Sequence, residues 1–114
     1  MARSKARAKS PFEGRWHIVS MSMWDEDFIN AEEQGYIEFK PGGQGEFHFG
    51  YVHGFMDCRE TTRDGQPAVE WSWEGNDEMD EASGRGWAVL RGGELHGLLA
   101  FHQGDESDFV AKRP

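Results

Sequence analysis

The sequence has a single cysteine and no long apolar run. Cys58 cannot form a disulfide within the chain, and one thiol is too few for a cysteine-rich zinc module, which fits a reducing compartment. No apolar stretch approaches the roughly 20 residues of a membrane-spanning helix, and the basic start lacks the apolar segment of a signal peptide. We therefore expect a cytoplasmic protein without a membrane partner.

Basic residues are scarce beyond the first nine positions. The chain has 12 basic and 21 acidic residues and a net charge of −9. Arg3, Lys5, Arg7 and Lys9 lie at the start, which leaves eight basic residues and a charge of −13 for the rest. Such a body repels phosphate backbones, so we expect no nucleic-acid partner for it. Residues 1–11 are predicted to form a disordered basic tail, and residues 12–114 a single domain.

Helical periodicity is absent, whereas short apolar alternations recur between turns that contain glycine or proline. This pattern predicts eight antiparallel strands near residues 14–24, 36–40, 45–50, 55–61, 69–74, 85–91, 94–102 and 107–112. Residues 25–34 are predicted to form a loop with one helical turn. Mostly short links favour an all-β, up-and-down barrel, and a two-sheet β-sandwich is the alternative.

Residues 45–61 admit two interpretations. They can form two strands, or one bent strand with a bulge at Gly50, which would reduce the count to seven. The facing of strand 55–61 is also open. Asp57 and Arg59 can point inward as an anchor for a ligand, or Met56 and Cys58 can point inward with the charges in solvent. The cost of desolvating an internal ion pair favours the second arrangement.

Acidic residues concentrate in links that an up-and-down barrel places at one end. The links after strands one, three, five and seven share an end, and here they are 24–35, 51–54, 75–84 and 103–106. We expect 75–84 to be an acidic loop. The carboxylate oxygens of these links suit a divalent cation such as calcium or magnesium. Nearby histidines would suit zinc or a related metal. The candidate metal ligands are Asp77, Asp80, Asp105, His53 and His102. A rim that binds a basic protein or peptide, and a loop that merely keeps the barrel soluble, are the alternatives.

The first strand begins with Gly14, Arg15 and Trp16. This Gly-x-Trp step ahead of a meander resembles the calycin superfamily of lipocalins, fatty-acid-binding proteins and avidins. The resemblance implies a calycin-like barrel that binds a small ligand inside. It also implies that Trp16 plugs the closed end and that a late basic side chain, here Arg113, packs across it. Over nearly the whole barrel, the phrases WDxDFI and SWEGNDExDxASGRGWA are similar to those of small uncharacterised bacterial proteins.

Aromatic residues supply the expected interior. The candidate ligand-binding residues are Trp71, Trp73, Phe47, Phe49 and Phe101, with Asp57 and Arg59 as polar anchors for a small apolar or planar guest. Large side chains in strands this short can equally fill the barrel, so a packed core is the alternative.

Sequence motifs for catalysis are missing. The serines lack a Gly-x-Ser-x-Gly setting, Cys58 lacks the local signature of a nucleophile, and no glycine loop suits phosphate. The sequence therefore favours a non-catalytic ligand-binding barrel with an acidic open end, and a protein-interaction module is the alternative. Outward apolar residues on the barrel wall would suit a homodimer. They are Val19, Met21 and Leu98, with either Val89 or Leu90.

Overall fold

The computed structural model describes residues 10–114 and contains eight strands and one short helix. The elements are β1 (Gly14–Met21), α1 (Glu26–Ile29), β2 (Tyr36–Lys40), β3 (Gln44–Phe49), β4 (Val52–Arg63), β5 (Gln66–Asp77), β6 (Asp80–Arg91), β7 (Glu94–Phe101) and β8 (Glu106–Lys112). Consecutive strands pair antiparallel, and β1 pairs with β8 to close the barrel. The predicted eight-stranded up-and-down barrel is confirmed. The predicted disordered tail falls mostly on residues 1–9, which lie outside the described part.

The alternation of apolar residues correctly predicted which side chains of β2, β3 and β5 point into the barrel. Ile37 and Phe39 on β2, and Phe47 and Phe49 on β3, point into the barrel and are buried. Trp71 on β5 is buried in the same way. Burial of these large apolar side chains is the main favourable contribution to folding, at roughly 25 cal/mol per Å².

Gly50 and Tyr51 separate β3 from β4, so residues 45–61 are two strands. Gly50 has a φ of 57°, and a Cβ there would come within 2.3 Å of the Phe28 ring. Both observations require glycine at this turn. The strand count of eight follows from this break.

The predicted acidic loop at 75–84 is wrong. β5 runs to Asp77 and β6 begins at Asp80, so only Glu78 and Met79 form the turn. The ends of β5 and β6 pair across the hairpin, with Asn76 opposite Glu81. On one side the hairpin stays paired with β4 as far as Val52 and Asp77, whereas on the other side β7 pairs only with the part of β6 from Gly84 onward. Residues 76–81 are exposed on both faces of the hairpin, so their sequence shows no apolar alternation.

The closed end carries the predicted contact between Trp16 and Arg113. The guanidinium carbon of Arg113 lies 3.9 Å from the centre of the Trp16 ring. Arg113 also donates hydrogen bonds to the carbonyl oxygens of Glu13 (2.8 Å) and Pro11 (3.0 Å). Gly14 has a φ of 109°, and a Cβ there would lie 2.8 Å from Arg113 Nη1. Glycine, tryptophan and arginine therefore form one structural unit.

The opposite end is covered by α1 and the residues around it. Asp25 caps the helix by accepting a hydrogen bond from the backbone N–H of Phe28 (2.9 Å). The Trp24 ring lies 5.1 Å from the Phe49 ring and 5.8 Å from the Phe28 ring, measured between centroids. We call residues 22–35 the mouth cover, because they close the end that was expected to be open.

The apolar strip predicted for a homodimer is only partly assembled. A bulge between Ile18 and Ser20 shifts the register, so Met21 packs against the core instead of facing outward. Leu90 also packs against the core, and Val89 is buried. Val19 remains on the outer wall, and the homodimer stays a prediction. In residues 10–114 no helix has the length and apolar character needed to cross a membrane.

Candidate functional site

Four of the five aromatic residues predicted to bind a ligand pack on one another inside the barrel, namely Trp73, Phe47, Phe49 and Phe101. The Trp73 ring lies 5.0 Å from Phe47 and 5.2 Å from Phe101, and the Phe47 and Phe49 rings are stacked at 5.9 Å. Trp71 lies 5.8 Å from Phe39, nearer the closed end. These centroid distances are those of direct aromatic contact. The rings therefore pack on one another along the barrel, as a core does.

The two interior tryptophans differ in their hydrogen bonding. The indole N–H of Trp73 donates to the carbonyl oxygen of Ala100 at 3.2 Å. The indole N–H of Trp71 is buried without a partner among the described residues. A buried polar group without a hydrogen bond costs roughly 1–3 kcal/mol. Trp71 therefore has an unsatisfied hydrogen-bond donor inside the barrel.

Asp57 and Arg59 are not part of this interior. Both are exposed on the outer face of β4, whereas Met56 is buried in the core and Cys58 packs against it. The interior anchor pair does not form, and the alternative facing is the observed one. Burial raises the pKa of the Cys58 thiol to about 12, with a contribution from the Asp57 charge. Its thiolate is therefore scarce at neutral pH, which argues against a nucleophilic role.

An acidic recess lies beside the β5–β6 hairpin and has a volume of about 870 Å³. Five carboxylates line it: Glu74, Asp77, Asp80, Glu81 and Asp105. Trp24, Phe55 and Phe101 line it as well, and Phe55 is 54% exposed. Within the described residues the lining contains no lysine or arginine. We call this the acidic recess. It combines negative charge with exposed aromatic surface.

The predicted metal ligands are only partly brought together. Asp77, Asp80, Asp105 and His102 line the acidic recess, but His53 faces outward on β4 and stacks on His48 with centroids 5.3 Å apart. Across residues 10–114, no group of three or more His, Cys, Asp or Glu side chains is placed to hold a metal ion. The acidic residues of 24–35 do not complete a rim either, because Glu32 and Glu33 contact His48 on the outer wall.

The sequence interpretation missed a polar cluster on the outer wall of β1, β2 and β3. The phenol of Tyr36 donates to Glu46 Oε2 at 2.6 Å, and the Arg15 guanidinium lies 3.7 Å above the Tyr36 ring. Burial, with this hydrogen bond, raises the pKa of Tyr36 to about 12. The same bond lowers the pKa of Glu46, with help from Lys40. The sequence signal for this cluster was the alternation of Glu46 and His48 with apolar residues, which places both on the outer face of β3.

No protein-family model, curated protein or solved structure matches this chain.

Proposed function

We propose that the protein is a non-catalytic interaction module that binds a basic peptide segment of a partner in the acidic recess. The observation that carries the proposal is the composition of the recess, in which five carboxylates lie beside the exposed Phe55 and the half-buried Trp24 and Phe101, and the described lining supplies no lysine or arginine.

Charge favours a cationic partner at this site. Like charges pair across the hairpin, since Asp77 lies opposite Asp80. Like charges directly opposite one another destabilise a sheet, and a bound cation relieves that repulsion. The strongly acidic body would also accelerate association with a basic partner.

The aromatic lining adds selectivity for lysine and arginine. Both side chains can place a cationic head over an aromatic face, a contact worth roughly 0.5–2 kcal/mol. Trp24, Phe55 and Phe101 supply such surfaces at the recess, with carboxylates beside them. Successive cationic side chains of an extended basic peptide would contact an aromatic face and a carboxylate in turn.

Binding of a fluorescein-labelled peptide of alternating lysine and glycine tests the proposal. The variant Asp77→Asn/Asp80→Asn/Glu81→Gln removes three charges from the recess and should weaken binding at least about tenfold, since every 1.4 kcal/mol is a factor of ten. The control Glu60→Gln/Asp64→Asn/Glu70→Gln removes the same charge at the other end of the barrel. Equal weakening by both variants would mean that the peptide responds only to net charge.

A second candidate function is the binding of a small guest inside a calycin-like barrel. Two observations favour it: the unit of Gly14, Trp16 and Arg113 at the closed end, and the unpartnered indole N–H of Trp71. A guest would have to displace packed aromatic side chains or enter when the mouth cover opens. Both proposals include a cytoplasmic location, because a chain with one free cysteine fits a reducing compartment.

Native mass spectrometry combined with tryptophan fluorescence tests this second function. A guest adds mass to the protein and changes Trp71 emission, and both effects should weaken in Trp71→Phe. Protein that is empty as purified, and unchanged by a panel of fatty acid, haem and flavin, would argue against interior binding.

A further inference from the structure

The first residues of β6 have a neighbouring strand on one side only. Residues 80–83 pair with β5, and Asp80 lies opposite Asp77. On the other side, β7 pairs with β6 only from Gly84 onward, and within residues 10–114 no strand continues past that point. The barrel wall therefore has a short open edge at residues 80–83, which we call the β6 edge.

The backbone N–H and C=O of Glu81 point out of the β6 edge. The carbonyl oxygen of Ser83 accepts a hydrogen bond from the His102 N–H (2.7 Å), so the Ser83 backbone faces the side of β7. Backbone groups two residues apart in a strand point the same way, which gives Glu81 this direction as well. In the part of the chain that the structure describes, no backbone group pairs with Glu81 on that side. Unpaired groups of this kind are a template for another extended segment.

The acidic recess is the space beside this edge. All four residues of the β6 edge line the recess, and three of them are exposed. Its lining also includes Trp24 from the mouth cover, and Gly104 and Asp105 from the turn between β7 and β8. A segment of about four extended residues, with a rise of roughly 3.4 Å each, would match the length of the β6 edge.

Charge determines which segment can pair with the β6 edge. If two copies of this chain paired edge to edge, Asp80 and Glu81 would meet carboxylates, and like charges destabilise a strand pair. A basic segment reverses the sign of these contacts. Successive residues of a strand point to opposite faces, so Glu81 lies on one face and Asp80 on the other. Basic side chains on either face of an added strand would therefore meet a carboxylate.

We propose that the basic segment of the partner binds as an added β-strand along the β6 edge, hydrogen-bonded to the backbone of Glu81. This inference rests on the function proposed above and specifies how the partner is held. Main-chain hydrogen bonds contribute affinity in such a complex, and the flanking side chains contribute selectivity. A partner whose lysines and arginines lie on a helix would not fit, because its backbone N–H groups are already paired within the helix.

Two N-methylated forms of the fluorescein-labelled lysine–glycine peptide test the added strand. In an extended peptide of this repeat, the lysine amides point one way and the glycine amides the other. One form is methylated at the lysine amides and the other at the glycine amides, so both lose the same number of donors and keep the same charge. We expect their affinities to differ at least about tenfold, because only one set of amides faces the β6 edge.

The unmethylated peptide separates the two levels of the proposal. If it binds and the two methylated forms bind equally, the added strand is wrong and the proposed function stands. If it does not bind, the proposed function and the added strand both fail.

A proline variant tests the same hydrogen bond from the protein side. Glu81→Pro removes the outward N–H and leaves the pairing with β5, which does not use that N–H. The matched control is Glu81→Gln, which removes only the charge. We expect Glu81→Pro to bind the unmethylated peptide at least about threefold more weakly than Glu81→Gln does. Equal binding by the two variants, both shown to be folded by circular dichroism, would overturn the proposal.

Hydrogen exchange of the Glu81 amide, followed by NMR, gives a readout that needs no variant. In the unaltered protein this amide should exchange at least about tenfold more slowly when the peptide is bound, since it becomes a hydrogen-bond donor. An unchanged exchange rate at saturating peptide would contradict the added strand.

Discussion

The indole of Trp71 lies directly against the backbone of Gly86 on the neighbouring strand. A Cβ at Gly86 would come within 2.5 Å of two carbon atoms of the ring. Gly84 and Trp73 repeat the arrangement, with a Cβ at Gly84 placed 2.9 Å from Trp73 Nε1. The two interior tryptophans thus lie in space that glycines on β6 leave free, which allows so many large rings to share one small barrel.

Replacement of Gly86 tests this packing. Gly86→Ala should destabilise the protein by about 1–3 kcal/mol, because the added methyl group forces the Trp71 ring from its position. Urea unfolding measured by circular dichroism gives the change. The control is Ser83→Ala, at an exposed position on the same strand, which should stay within about 0.5 kcal/mol of the unaltered protein. Equal stability of all three proteins would show that the ring is not confined there.

Arg113 should contribute to stability at the closed end. Arg113→Ala removes the contact with the Trp16 ring and the hydrogen bonds to two backbone carbonyl oxygens. We expect a loss of about 1–3 kcal/mol in the free energy of unfolding. Arg113→Lys keeps the charge but not the planar group that spans both carbonyls, so its loss should be intermediate. A lysine variant as unstable as the alanine variant would mean that charge contributes nothing.

Tyr36 should ionise late in alkaline solution. Its pKa is raised from 10.0 to about 12, so the folded protein keeps the phenol protonated where the unfolded chain releases the proton. The resulting stability is fully present below pH 10 and is lost as the pH rises from 10 to 12. Absorbance at 295 nm follows the ionisation, and Tyr36→Phe should lack the late step. Complete tyrosine ionisation by about pH 11 in protein that circular dichroism shows to be folded would contradict this.

The Cys58 thiol should react slowly in the folded protein. Burial raises its pKa to about 12, so the reactive thiolate is rare at pH 8. A disulfide reagent that releases a coloured thiol should label the native protein at least about tenfold more slowly than the protein in guanidinium chloride. Cys58→Ser gives the background rate. Equal rates in native and denatured protein would show that Cys58 is accessible and ionisable.

Period-two alternation predicted the strands of the barrel wall because one face of each is buried. It gave the inward faces of β2 and β3 correctly. It failed where this condition does not hold. The segment from Asn76 to Glu81 meets solvent on both faces, so its strands looked like a charged loop. The bulge after Ile18 reverses the facing of Met21, and no local pattern marks it.

The candidate site was predictable only in part. Strand order alone grouped the acids of 75–84 with those of 103–106, and Asp77, Asp80, Glu81 and Asp105 do line one recess. Trp24 and Phe55 joined them through tertiary packing, which no spacing in the chain reveals. The contacts of His48 with Glu32 and Glu33 join residues 15 and 16 positions apart through the fold of the mouth cover.

Chemical-shift mapping of the lysine–glycine peptide onto the isotopically labelled protein tests the central claim most directly. The account predicts that the largest shifts fall on the Trp24 indole and on the amides of residues 75–83 and 102–105, around the acidic recess. Shifts concentrated on the interior tryptophans, or spread evenly over the acidic surface, would contradict it.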